Sequence, residues 1–253
     1  MYQYNDDSLM LHNDLYQINM AESYWNDGIH ERIAVFDLYF RKMPFNSGYA
    51  VFNGLKRVVN FIENFGFTNE DITYLKSIGY EEDFLNYLKD LKFTGNIKSM
   101  QEGEICFGNE PLLRVEAPLI QAQLIETILL NIINFQTLIA TKASRIRQIA
   151  THDTLMEFGT RRAQEIDAAL WGARAAFIGG FDSTSNVRAG KLFNIPVSGT
   201  HAHALVQTYG DEYIAFKKYA ERHKNCVFLV DTFHTLKSGV PTAIKVAKEL
   251  GDK

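Results

Sequence analysis

Two histidines one residue apart, in Gly199-Thr200-His201-Ala202-His203, form the most reactive-looking string in the chain. Residues two apart on an extended backbone point the same way. The spacing therefore predicts that His201 and His203 share one side, with Ala202 leaving room opposite. Three readings fit: a solvated polar loop, a metal-binding pair, or a catalytic histidine that accepts a phosphoryl group through its neutral imidazole. No acidic or cysteine ligand lies nearby in sequence, so no metal ligands are assigned.

Three further clusters carry chemistry. Gly159-Thr160-Arg161-Arg162 follows an apolar run and opens a helical pattern. A helix start beside a guanidinium grips carboxylate or phosphate, and pairing of the two arginines with Glu165 and Asp167 is the plainer alternative. Asp182-Ser183-Thr184-Ser185 suits an N-cap for a helix over 186–193 and can also face a ligand. Asp231-Thr232 suits a ribose hydroxyl or a water-bridged Mg2+, or a hydrogen bond that fixes its own loop. Phe158 and Tyr16 matter if a flat aromatic ligand binds; otherwise they are core residues.

What must position these residues is a series of apolar runs at 154–158, 175–180, 195–198 and 226–230, each ending in one of the polar clusters, with helical patterns between them. That cadence predicts parallel strands of a β/α barrel with chemistry at their carboxyl ends. Four strands cannot close a barrel that needs about eight, so an incomplete barrel is expected and the chain reads as the front part of a longer protein. Upstream, the expected order is a helix over 11–25, a strand over 31–40, helices over 54–65, 68–77 and 81–89, and strands over 97–100, 105–107 and 112–116. A long helix over 119–150, with a possible break near Phe135, follows. The fold class is α/β: an N-terminal α+β domain over 1–113, a helical connection over 114–150 and a partial barrel over 151–253.

The 253 residues carry a formal net charge of −4, with 46% hydrophobic and 22% charged residues, an ordinary globular balance that argues against a broad nucleic-acid surface. Two separated cysteines, Cys106 and Cys226, make no disulfide framework and are expected to be buried and reduced, in a cytoplasmic protein. The start lacks the basic residues of a signal peptide. Polar residues recur through the apolar stretch 119–139, which suits a core helix better than a membrane span.

Read in series, six strings resemble nicotinate phosphoribosyltransferases: Asn13-Asp14-Leu15-Tyr16-Gln17, Phe40-Arg41-Lys42-Met43-Pro44-Phe45 with Gly48-Tyr49-Ala50-Val51, Phe158-Gly159-Thr160-Arg161-Arg162-Ala163-Gln164, Gly180-Phe181-Asp182-Ser183-Thr184-Ser185-Asn186, Gly199-Thr200-His201-Ala202-His203, and Asp231-Thr232. Each is weak alone; in the family's order over nearly the whole chain they are specific. The family's chains are usually far longer, and its later phosphoribose-gripping segment has no counterpart here.

The resemblance implies the first strands of a type II phosphoribosyltransferase barrel and the joining of nicotinate to 5-phosphoribosyl-1-pyrophosphate, coupled to ATP hydrolysis with Mg2+. It places the phosphorylated histidine at His203, with His201 at a position the family varies. It implies nicotinate contacts from Thr200 and Tyr16, a ring sandwich between Phe158 and a tyrosine of a second subunit, Arg161 near the ring substituent or the phosphate, and Ser183 near the carboxylate. A homodimer is expected, with Tyr16 approaching the partner subunit's Phe158. The alternatives are a sister enzyme using nicotinamide or quinolinate, or a non-catalytic fragment or subunit. With the later donors absent, the chain alone is expected to be weak or inactive.

Overall fold

The computed structural model describes residues 9–251, in two compact units that divide between Ile195 and Pro196. In the first unit, helix α1 (Leu15–Asn26) leads to β1 (Ile33–Leu38), the short strand β2 (Ala50–Val51), and helices α2 (Leu55–Glu63), α3 (Asn69–Ser77) and α4 (Glu82–Asp90). Thr68 starts α3 through a capping box with Asp71, satisfying two backbone N–H groups that a helix start leaves open. Strands β3 (Asn96–Ser99), β4 (Ile105–Cys106) and β5 (Leu113–Pro118) follow. β1, β5 and β3 form an antiparallel sheet in that order, while β2 pairs with β4. The expected elements over 11–116 are present with their ends shifted by up to four residues.

Helix α5 (Leu119–Ile149) runs 31 residues without the break considered near Phe135. Leu124, Ile125, Ile128, Leu129, Ile132 and Ile133 are its buried stripe, as the helical spacing predicts. Polar residues on this helix satisfy neighbouring backbone instead of lipid. Gln121 accepts from the Thr94 N–H at 2.8 Å, Thr137 from Asn53 at 3.1 Å and Thr141 from Val51 at 2.9 Å. The helix is long and apolar enough to cross a membrane by length and composition, yet its apolar stripe is packed within the core of the first unit. The sequence boundaries at 113 and 150 fall near the two ends of the β5–α5 stretch, inside this unit. Cys106 is buried, whereas Cys226 is half-buried, less than expected; both are free.

After α5 come β6 (Met156–Glu157), α6 (Glu165–Ile178), β7 (Ser183–Thr184) and α7 (Val187–Phe193). β6 and β7 are parallel, with Met156 opposite Ser183 and Glu157 opposite Thr184, the barrel-type pairing that the apolar-run pattern predicts. The strand expected over 175–180 is absent: residues up to Ile178 belong to α6, and the strand lies at 183–184. Ala173, Ala175 and Ala176 are buried, and any side chain at Gly179 would collide with the Ala140 carbonyl and Ala143 of α5. The small-residue run is thus a helix face shaped for close packing on another helix, made of the best helix-forming residue.

The second unit holds helices α8 (His203–Tyr209), α9 (Glu212–Ala220) and α10 (Val240–Leu250). The strands expected over 195–199 and 226–231 are also corrected: Val197 makes an isolated bridge, and residues 226–231 run outside any ladder. Phe228 and Val230 are apolar because they pack on Val206, Ala215, Phe216 and Val246, not because a neighbouring strand covers them. A π-helical turn over Thr235–Gly239 leads into α10. Gly239 sits so close to the Val230 carbonyl that no side chain fits there.

Candidate functional site

The first group of predicted residues surrounds the β6–β7 pair. Phe158 follows β6 and is 45% exposed. Arg161 and Arg162 lie in a short 3-10 turn (Thr160–Arg162), and α6 begins later, at Glu165, so the arginines precede the helix instead of opening it. Both are exposed and hold no ion pair among the described residues. Asp167, one of their expected partners, binds Arg57 at 2.7 Å instead. Two cations held near a strand end without a protein counter-charge suit an anionic ligand.

Glu157 orders this loop, and sequence reasoning passed over it. Its carboxylate accepts from the Gly159 N–H and, at 2.6 Å, from the Thr184 hydroxyl. Thr184 in turn accepts from the Asn186 N–H at 3.0 Å. The helix cap lies one step beyond the expected cluster: Asn186 accepts from Ala189 N–H at 3.0 Å. Glu157 therefore joins the turn behind Phe158 to the loop behind β7. The available signal was its place at the carboxyl end of the apolar run.

Asp182 plays a matching role. It accepts from the Leu155 N–H at 2.7 Å and from Arg147 at 2.5 Å. The Leu155 bond first, then Arg147, hold its carboxyl below the ordinary aspartate range. Arg147 also donates to the Gly180, Ala150 and Asp153 carbonyls at 2.7, 2.8 and 2.8 Å. Ser183, next along β7, is 6% exposed, and its hydroxyl oxygen is buried with no hydrogen-bond partner. Such groups are rare because each forfeits a hydrogen bond.

Tyr16 stands elsewhere in the first unit, on the first turn of α1, and is 51% exposed. Its hydroxyl accepts from Gln17 at 3.0 Å. The nearby Glu126 charge, then burial and Asp14, raise its pKa above the usual tyrosine value. It lines a cleft of about 600 Å³ with Asp14, Tyr39, Arg41, Lys42 and Asn134.

The second group lies in the second unit. His203 is the first residue of α8. Its Nδ1 lies 3.2 Å from the Thr232 hydroxyl, and its Nε2 lies 3.9 Å from Asp231. Both the His203 and Asp231 side chains are at least half exposed. Thr200 is exposed, and its hydroxyl donates to the His201 carbonyl at 2.9 Å. Both histidine rings approach the 229–232 run, His201 through Leu229 and His203 through Thr232, but they differ in burial. His201 is 8% exposed and packs in the core of this unit, whereas His203, the first residue of α8, stays half exposed. No group of three or more His, Cys, Asp and Glu side chains suited to a metal occurs among the described residues.

The parallel β6–β7 pair flanked by helices, with exposed arginines on the loop behind β6, is an α/β arrangement of the type II phosphoribosyltransferase class. Residues 11–134 match the model of the nicotinate phosphoribosyltransferase N-terminal domain. The chain is 67% identical over all of its length to a nicotinate phosphoribosyltransferase of Bacillus subtilis (strain 168), of which it covers 52%. Among solved structures, that of human nicotinic acid phosphoribosyltransferase matches with a TM-score of 0.84 at 31% identity, covering 95% of this chain and 58% of the human one. A nicotinate-nucleotide pyrophosphorylase from Pyrococcus furiosus matches with a TM-score of 0.79 at 26% identity, over 99% of this chain and 57% of the other. The chain belongs to the nicotinate phosphoribosyltransferase family. It spans about half the length of the curated relatives it matches.

Proposed function

We propose that the protein of which these residues form part makes nicotinate mononucleotide from nicotinate and 5-phosphoribosyl-1-pyrophosphate, for NAD salvage in the cytoplasm, driven by ATP through a phosphorylated His203. The observation that carries this reading is the exposed His203 ring, held by Thr232 beside the open carboxylate of Asp231. In this reading Phe158, Arg161, Ser183, Thr200 and His203 all take part in the reaction. A homodimer brings Tyr16 to the partner subunit's Phe158.

In the transfer, the pyridine nitrogen bonds to C1 of the ribose as the bond from C1 to the pyrophosphate oxygen breaks. Positive charge builds on the ribose and negative charge on the leaving group. Arg161 faces the nicotinate carboxylate or the phosphate, the Ser183 hydroxyl completes its open hydrogen bond on the carboxylate, and stacking on Phe158 holds the ring nitrogen toward C1. Thr232 orients the His203 imidazole for attack on the γ-phosphorus of ATP, which releases ADP; water later takes the phosphoryl group. Mg2+ fits the residues present, because it needs only one or two carboxylates beside substrate phosphates, and Asp231 is open enough to serve. When bound, it neutralises phosphate charge.

The test is turnover of the complete polypeptide as the cell makes it, with and without ATP. His203→Ala should abolish nicotinate-dependent ATP hydrolysis and leave a slow, ATP-independent transfer. ATP coupling that survives His203→Ala removes the histidine from its assigned role, and faster turnover of quinolinate or nicotinamide than of nicotinate overturns the substrate.

A further inference from the structure

The second histidine of the pair has a structural placement that the phosphoryl-transfer reading does not use. His201 is almost fully buried. Its ring packs 5.5 Å from Phe216, 5.1 Å edge-on from Tyr219 and 6.3 Å from Phe228. Its Nε2 lies 3.1 Å from the backbone nitrogen of Leu229, which donates to it. A nitrogen that accepts carries no proton, so the ring is neutral and its proton sits on Nδ1. That nitrogen faces the Ala202 carbonyl at 3.3 Å.

The consequence is geometric. Leu229 lies two residues before Asp231 and three before Thr232, the two side chains that approach His203. The 228–232 run has no strand ladder to fix it. Two cross-links hold it to the 200–203 loop: His201 to Leu229, then His203 to Thr232. The first is buried and aromatic; the second is exposed and carries the chemistry.

We propose that His201 is a positioning residue for His203: by accepting the Leu229 N–H within an aromatic pocket, it sets the segment that presents Thr232 and Asp231 to the His203 ring. This rests on the phosphohistidine reading of His203. Glutamine places an acceptor near the position of Nε2, whereas phenylalanine keeps the ring packing and loses the acceptor. His201 is therefore separable into its packing and hydrogen-bonding parts.

The experiment compares His201→Phe, His201→Gln and His203→Ala in the complete polypeptide. His201→Phe should lower kcat for nicotinate-dependent ATP hydrolysis by about tenfold or more while the nicotinate KM stays within about twofold, since only the phosphorylation step uses the brace. His201→Gln should recover most of that loss. Nitrogen-15 spectra of the wild-type imidazoles should show His201 protonated at Nδ1 and bare at Nε2, and the Leu229 amide should shift in His201→Phe. Wild-type kcat in His201→Phe overturns the proposal, as does an Nε2-protonated ring. If His201→Phe does not fold, kcat in His201→Gln and the wild-type tautomer decide the question. ATP coupling that survives in His203→Ala defeats the phosphohistidine reading instead, and the spectra then still show whether the brace exists.

Discussion

The loops behind β6 and β7 and the loops that carry His203 are fixed by opposite chemistry. The first pair is tied by carboxylates. Glu157 bridges the Gly159 backbone and Thr184, and Asp182 bridges Leu155 and Arg147. The second pair is tied by a neutral imidazole set among Phe216, Tyr219 and Phe228. Ionic ties tolerate partial exposure and draw on segments far apart in sequence. The imidazole tie depends on exclusion of water and on packing. In the proposed reading, a loop that receives an anion gains from rigid acceptors that leave its arginines unpaired, whereas a loop that presents a nucleophilic ring gains from an uncharged support.

The contrast is broken most forcefully at Phe216. This ring is fully buried and stacks on Phe228 at 4.8 Å with the planes 17° apart. Phe216→Ala should destabilise the second unit by about 3–5 kcal/mol, measured by denaturant unfolding, and should release the Leu229 amide from His201. Unchanged stability would show that packing does not support that loop.

A smaller effect is expected at Glu157. Glutamine keeps one acceptor and turns the other position into a donor, so it cannot serve both Gly159 and Thr184. Losing one hydrogen bond to a charged group should raise the nicotinate KM about tenfold, with nicotinate-dependent ATP hydrolysis at saturating nicotinate little changed. An unaltered KM would mean that Phe158 keeps its place without this carboxylate.

What the sequence disclosed follows from the kind of signal each element carries. The stripe of α5 was legible because six buried positions, among them Leu124, Ile125 and Ile128, recur at helical spacing. The run at 175–180 was misread because alanine-rich apolar residues suit a buried strand as well as a tightly packed helix, and only the contact of Gly179 with Ala140 decides between them. At 226–230 the apolar pattern announced packing but was silent on pairing: Phe228 and Val230 are half-buried against helices, while Val227 is 45% exposed. The chemistry-bearing strings were visible by residue type. The division of labour between His201 and His203 was not, because it depends on the Phe216, Tyr219 and Phe228 rings that later segments pack around His201 alone. Glu157 was hidden because a single carboxylate has no spacing signature.

Acid should separate the two kinds of tie with the mildest effect of all. The folded pKa of Asp182 lies below its unfolded value, owing first to the Leu155 N–H and then to Arg147. A depressed carboxylate contributes to stability above the unfolded value, near the ordinary aspartate value of about 3.9, and the contribution fades as pH falls through the lower folded value. At neutral pH the tie is therefore fully present, and only strong acid loosens it. The Leu155 amide shift should report this loss with a midpoint below that of an unperturbed aspartate, and Asp182→Asn should erase the transition. The Leu229 amide is the internal comparison, because an imidazole and not a carboxylate accepts its N–H. It should carry no transition at the Asp182 midpoint. A Leu155 midpoint at or above the ordinary aspartate value would mean that Arg147 and the backbone do not hold this carboxylate ionised, and the ionic side of the contrast would fall.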